Sequence, residues 1–154
     1  MKDRWRVLAL LAAALFAVNV AARVVVKLGF EGDDAAESRV SLAMFLAIGA
    51  ILAGLVFRWG QHRSVANWGG DVAAAVGVAL ALTVLVGPLL VGQNPFDGGV
   101  ATLFGEIGVY LVAAAVGVLA GHLTLTALGR DHRSRLLKRY AEIKTAKPRR
   151  PVRR

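Results

Sequence analysis

Four residues able to carry charge or strong hydrogen bonds fall inside otherwise apolar runs: Asn19, Arg23, Glu106 and His122. Asn19 and Arg23 are four apart, which puts them on one face of a helix. Glu106 lies six residues into a run that begins at Val100, about 9 Å along a helix axis. A charge held in hydrocarbon is costly unless paired or hydrated, so residues of this kind are candidate sites. Arg23 and Glu106 fall at similar depth toward the same end of their runs. Two arrangements fit. In one they pair, or border an outward-facing polar vestibule. In the other both snorkel to the outer interface and mark only the helix ends.

His122 precedes Thr126 by one turn near the inner end of its run. An imidazole there suits a proton relay, or simply a hydrogen-bonded or hydrated interfacial position. His62 and His132 lie in basic stretches, and no histidine has ligand spacing with a carboxylate, so neither a metal nor another cofactor is expected. The chain has no cysteine. It contains no HExxH, GxSxG, P-loop or GxGxxG pattern. Ser38, Ser41, Ser64 and Ser134 lie outside or at the edge of the apolar runs. Catalysis is not expected.

The elements that must position these residues follow from hydropathy. Of 154 residues, 56% are hydrophobic, and the 19% that are charged cluster between and beyond long apolar stretches. This is the pattern of an all-α integral membrane protein. Four spans are predicted, at about 7–26, 40–57, 72–91 and 100–128, forming a four-helix transmembrane domain over 1–128. A basic cytoplasmic tail follows over 129–154. The fourth run is longer than a straight span needs and must tilt, begin in the interface or protrude. Residues 1–26 also resemble a signal peptide with a cleavage site near Val20-Ala21-Ala22, but the run continues past it and is long enough to span.

Lys2, Arg4 and Arg6 precede the first span, Arg58 and Arg63 lie in the second connection, and the tail is basic. The first connection carries Glu31, Asp33, Asp34 and Glu37 against Lys27 and Arg39; the third carries Asp97 and no base. The positive-inside rule then places both termini in the cytoplasm, with Trp5, Trp59 and Trp68 as inner-interface anchors. The wealth of Arg, Ala, Val and Gly points to a GC-rich bacterial genome and hence to a bacterial inner membrane.

Small residues recur at four-residue spacing: Ala50 and Gly54 on the second span, Ala73, Gly77 and Ala81 on the third, Gly117 and Gly121 on the fourth. Such faces let backbones approach closely, within the bundle or against another subunit. Gly87-Pro88 predicts a kink in the third span, or its end, since proline removes a backbone hydrogen bond.

The net charge of +9 resides wholly in the tail, where eleven Lys or Arg residues from Arg130 onward face Asp131 and Glu142. Leu136, Leu137, Tyr140 and Ile143 recur there at helical spacing among Arg133, Arg135, Lys138, Arg139 and Lys144. That predicts a short amphipathic helix able to contact anionic lipids of the inner leaflet. The charge also enforces topology. Nucleic acid is not an expected partner, because the tail offers one aromatic and no fold to present a groove reader. The last eight residues, with two prolines, are expected to be disordered.

The second half resembles the B-type subunit of multisubunit sodium/proton antiporters. The residues that carry the resemblance are Val76-Gly77-Val78-Ala79-Leu80-Ala81-Leu82, Gly87-Pro88-Leu89-Leu90, and Leu103-Phe104-Gly105-Glu106-Ile107-Gly108-Val109-Tyr110-Leu111-Val112. The family's last helix starts with phenylalanine, an acidic residue and then Gly-Val-x-Leu. Here Gly105 intervenes, and the acidic position falls on Glu106. The resemblance covers 72–128. The family's Pro-Gly-Gly-Gly-Phe motif is absent from the first half, where an acidic connection stands. It implies a non-catalytic membrane subunit of a cation/proton antiporter or related complex.

Three functional classes follow. The first is an accessory or structural subunit of a membrane complex. The second is a self-sufficient oligomeric transporter or channel whose path Asn19, Arg23 and Glu106 would line. The third is a membrane anchor or scaffold whose basic tail binds lipid or a partner.

Overall fold

A computed structural model of the chain describes residues 2–30, 33–92, 94–96 and 99–145. Glu31 and Asp97 of the connections, and the 147–154 end of the tail, lie outside the described residues. The described chain is helical, with α1 at Lys2–Gly29, α2 at Asp34–Gly60, α3 at Val65–Leu85, α4 at Gly87–Leu90, α5 at Gly99–Ala127 and α6 at His132–Thr145. Helices α1, α2, α3 and α5 are each long and apolar enough to cross a membrane. The chain is a multi-pass membrane protein.

Each long helix buries one narrow stripe. On α1 it is Leu8, Leu11, Ala12, Leu15 and Asn19; on α2, Ile48, Leu52, Val56 and Gly60; on α5, Tyr110, Ala114, Gly117, Gly121 and Leu125. Steps of three and four residues keep such a stripe on one helix face. The remaining faces are apolar as well: Leu10, Leu42, Leu46, Val112, Val116 and Leu123 are exposed. In water that surface would be prohibitive; in a bilayer it is matched by lipid tails, and every backbone polar group is satisfied inside its own helix.

The helices pair in parallel. Arg4 near the start of α1 meets Asp71 near the start of α3, while Lys27 at the far end of α1 reaches the carbonyl of Val91 just after α4. Gly49 and Ala53 of α2 meet Gly117 and Gly121 of α5 in the same order. The two pairs, α1 with α3–α4 and α2 with α5, run antiparallel to each other, as the contact from Asn19 to Met44 shows. The starts of α1 and α3 and the finish of α5 therefore share one end of the bundle.

The α2–α5 contact is the tightest. A Cβ built on Gly117 would lie 2.5 Å from the carbonyl oxygen of Gly49 and 2.7 Å from its Cα, so only glycine fits this approach. The predicted Gly117–Gly121 packing is within the bundle, but its partner stripe is Gly49 and Ala53. Ala50 and Gly54 are exposed, and so are Ala73, Gly77 and Ala81. These five do not pack within the bundle. On α3 the neighbouring stripe of Val72, Ala75, Val76, Ala79 and Thr83 is buried instead. One residue is a 100° turn around the helix, and in so alanine-rich a chain adjacent stripes both show small residues at four-residue spacing.

The third span begins earlier and breaks sooner than hydropathy alone predicts. Its helix starts at Val65, capped by Ser64 in extended conformation, and takes in Trp68 and Asp71. Trp68 is 4% exposed and belongs to the core, which corrects its expected place as an interfacial anchor. At Gly87-Pro88 the helix is interrupted between α3 and α4, because Pro88 has no N–H to continue the ladder. At the far end of α5, Gly129 adopts a φ of 59° and the N–H of Arg130 donates to the Leu125 carbonyl at 3.2 Å. This left-handed cap, followed by Asp131, ends α5 and allows α6 to start in a new direction.

Candidate functional site

The polar residues of the first and fourth spans meet. Arg23 donates through its Nη2 to Glu106 Oε2 at 3.0 Å and through its Nε to Asn19 Oδ1 at 3.1 Å. Asn19 in turn points its Nδ2 at the sulfur of Met44, 3.1 Å away, and is itself buried. The chain Glu106–Arg23–Asn19–Met44 thus ties α5, α1 and α2 together. The helix break closes the fourth side: a Cβ on Gly87 would lie 3.2 Å from Arg23 Nε and 3.3 Å from Asn19 Oδ1. Glycine at the break lets the backbone settle against the polar pair.

These groups line a cavity of about 830 Å³ at the end of the bundle opposite the chain termini. Its wall on α1 carries Asn19, Arg23 and Lys27, spaced four residues apart and hence stacked on one face. Facing them are Glu37 of α2 and Glu106 of α5. The cationic groups therefore sit on one helix pair and the carboxylates on the other. Thr83 and Tyr110 also line the cavity. Both residues are almost wholly buried, and among the described residues neither hydroxyl has a hydrogen-bond partner. Asn19 and Tyr110 sit ten and eleven residues from their helix ends, about 15 Å along the axis and so near mid-membrane. One turn further in, Leu15, Ile48 and Leu52 are fully buried in the core.

Sequence reasoning singled out Asn19, Arg23 and Glu106, because a polar residue in an apolar run stands out. It noted Thr83 only as a local hydrogen-bonding group beside the Gly87-Pro88 kink, and it missed Lys27, Glu37 and Tyr110 as cavity residues. Lys27 and Glu37 sit at span boundaries, where charge is routine. Hydroxyls are common in membrane helices because they can bond back to their own backbone, as Thr124 does to the Ala120 carbonyl at 2.7 Å.

A second polar cluster lies at the terminal end. Asp71, whose side chain is 4% exposed, accepts from Arg4 Nε at 2.8 Å, and Arg63 approaches its other oxygen at 3.9 Å. Arg63 also lies over the ring of Trp59, 5.5 Å from its centroid. Together with Asn67 they line a smaller cavity of about 550 Å³. Asp71 immediately precedes the apolar run that defined the third span, a place where charge is routine, and nothing in the sequence singled it out. Its burial follows from the helix starting at Val65.

His122 is not part of either cavity. It is half-buried, its ring 6.1 Å from that of Trp68 and tilted by 50°. Neither His122 Nδ1 nor Trp68 Nε1 has a hydrogen-bond partner among the described residues. Arg133, Arg135, Lys138, Arg139 and Lys144 are all exposed on α6, as are Leu136, Leu137, Tyr140 and Ile143. No group of histidines and carboxylates able to hold a metal occurs among the described residues. No protein-family model matches the chain, and neither a curated protein nor a solved structure matches it.

Proposed function

We propose that the chain is a non-catalytic subunit of a membrane complex, and that the cavity around Arg23 and Glu106 is where it meets the solute or ion that the complex handles. The observation that carries this reading is the cavity itself. A polar space that reaches from one end to mid-membrane holds an ion pair, a buried amide and two hydroxyls without partners among the described residues. Membrane proteins keep such groups at depth where they border a path or a ligand. Leu15, Ile48 and Leu52, fully buried one turn further in, offer no polar group to continue a path, which favours a second protein supplying the remainder. The resemblance of 72–128 to the B-type antiporter subunit favours cation/proton transport as the work of the complex, and its acidic position, Glu106, lies in the cavity. With both termini cytoplasmic in a bacterial inner membrane, the cavity opens outward and α6 lies along the anionic inner leaflet.

Gentle extraction from the native membrane, followed by native mass measurement and identification of co-purifying chains, tests this. The expected result is a stoichiometric complex containing large antiporter-type subunits. A clean monomer or homo-oligomer would overturn it.

One feature favours a second reading, a self-sufficient oligomeric transporter. Polar cavities occur at both ends of the bundle, separated by an apolar plug. Ion flux into vesicles containing only this chain, abolished by Glu106→Gln, would establish that reading.

A further inference from the structure

We propose that the outer cavity binds a zwitterion, a group carrying an ammonium and a phosphate or carboxylate a few ångströms apart, such as the headgroup of an ethanolamine lipid or a free solute of the same charge pattern. The proposal rests on the reading of this cavity as the functional centre and specifies its ligand.

Charge placement carries the argument. Arg23 and Lys27 lie one turn apart on α1, and Glu37 of α2 and Glu106 of α5 line the same space, Glu106 paired with Arg23 at 3.0 Å. The cavity is neutral in sum, and a charged ligand must exchange for the Arg23–Glu106 pair. A simple cation would face Arg23 and Lys27, and a simple anion would face the two carboxylates. Either takes one partner of the pair and leaves the other without its counter-charge. A zwitterion satisfies both partners together, its anionic group against the α1 cations and its ammonium against the carboxylates.

The second, independent observation is the pair of hydroxyls. Tyr110 and Thr83 are buried, line the cavity and lack partners among the described residues. Buried hydroxyls are ordinarily satisfied, so each marks a position where a ligand oxygen would complete the hydrogen bonding. The cavity volume of about 830 Å³ suits a small molecule or a headgroup with the first part of its chains. The apolar remainder of the lining, including Val26, Val40 and Phe45, matches the latter.

Native mass spectrometry of the purified full chain tests the proposal by titration with three probes: phosphatidylethanolamine, phosphatidylglycerol, and glycerophosphoethanolamine, which is the ethanolamine headgroup without its acyl chains. The expected result is binding of phosphatidylethanolamine about tenfold or more tighter than phosphatidylglycerol, the worth of one charge-assisted hydrogen bond. Comparable binding of glycerophosphoethanolamine would assign the site to a free solute; binding of the lipid alone would assign it to a headgroup. The charge-neutral double variant Arg23→Gln/Glu106→Gln should erase the preference, and the near-isosteric Tyr110→Phe should weaken binding of both lipids, each leaving the thermal transition of the protein in place. Equal binding of the two lipids, no binding of any probe, an undiminished preference in the double variant, or undiminished binding in Tyr110→Phe would overturn the proposal. Because the isolated chain is used, a failure here is separate from a failure to find partner subunits.

Discussion

A hydroxyl enclosed without a partner is a standing cost to the folded protein, about 1–3 kcal/mol when wholly deprived of hydrogen bonds. Tyr110 and Thr83 both carry that cost among the described residues. Removing the oxygen alone should therefore not harm the empty bundle. Tyr110→Phe and Thr83→Val are expected to hold or raise its melting temperature, whereas Leu15→Ala, at a fully buried position, should lower stability by about 2–5 kcal/mol. A scanning thermal melt in detergent reads all three. A marked loss in Tyr110→Phe would show that its hydroxyl serves the fold. The same residues show what sequence can reveal at this scale. Arg23 and Glu106 were legible because charge in an apolar run has no bland place to be, and their depths matched. Tyr110 and Thr83 were not, since an aromatic or a threonine in a membrane helix is unremarkable until its neighbours are known. Asp71 hid at a boundary that hydropathy set seven residues too late.

At the scale of the helix, the α2–α5 seam decides whether the bundle forms. Gly117 and Gly121 touch the backbone of Gly49 and Ala53 directly, so a side chain at either has nowhere to go. Gly117→Leu is expected to cost about 1–3 kcal/mol or more by overpacking, while Gly54→Leu, on an exposed face with open space around it, should stay within about 0.5 kcal/mol. Melting temperatures of the two variants side by side test this, and equal losses would mean that α2 packs on another face. The four spans and the amphipathic α6 were legible because length and hydropathy set them. The packing faces were legible only in part: the GxxxG on α5 stood out, but which of two adjacent stripes on α2 and α3 turned inward depended on what faced them. A gentler element-level test concerns α6. Asp131 accepts from the Ser134 N–H at 3.1 Å, and its hydrogen bonds to Ser134 hold its carboxyl below its ordinary value of 3.8. A carboxylate with a depressed folded value contributes above that ordinary value and loses its contribution as pH falls through the folded one. The α6 amides should thus be equally protected from exchange at pH 5 and pH 7 and less protected below about pH 4. Asp131→Ala should show the weakened state at every pH.

The molecule as a whole is two parallel helix pairs set antiparallel, and its orientation in the membrane decides what both cavities face. The basic residues Arg4, Arg6, Arg58 and Arg63 share the terminal end with the tail, while Asp33, Asp34 and Glu37 occupy the other. Positive charge retained on the inner side predicts cytoplasmic termini. The asymmetry survives without the tail, so a chain stopped at Leu128 should insert the same way. Because the chain has no cysteine, single introduced cysteines report unambiguously. Ser38 and His62 are exposed, one at the start of α2 and the other just beyond its end, on opposite sides of the bundle. In intact cells a membrane-impermeant maleimide should label Ser38→Cys and spare His62→Cys, in the full chain and in the truncated one alike. The truncated chain should at the same time lose binding to anionic vesicles, because α6 carries the exposed cationic and apolar residues that would engage them. Reversed labelling in the full chain would turn the larger cavity to the cytoplasm, and with it the source of any ligand. Reversal on truncation alone would mean that the tail sets the orientation of the bundle rather than only lying beside it.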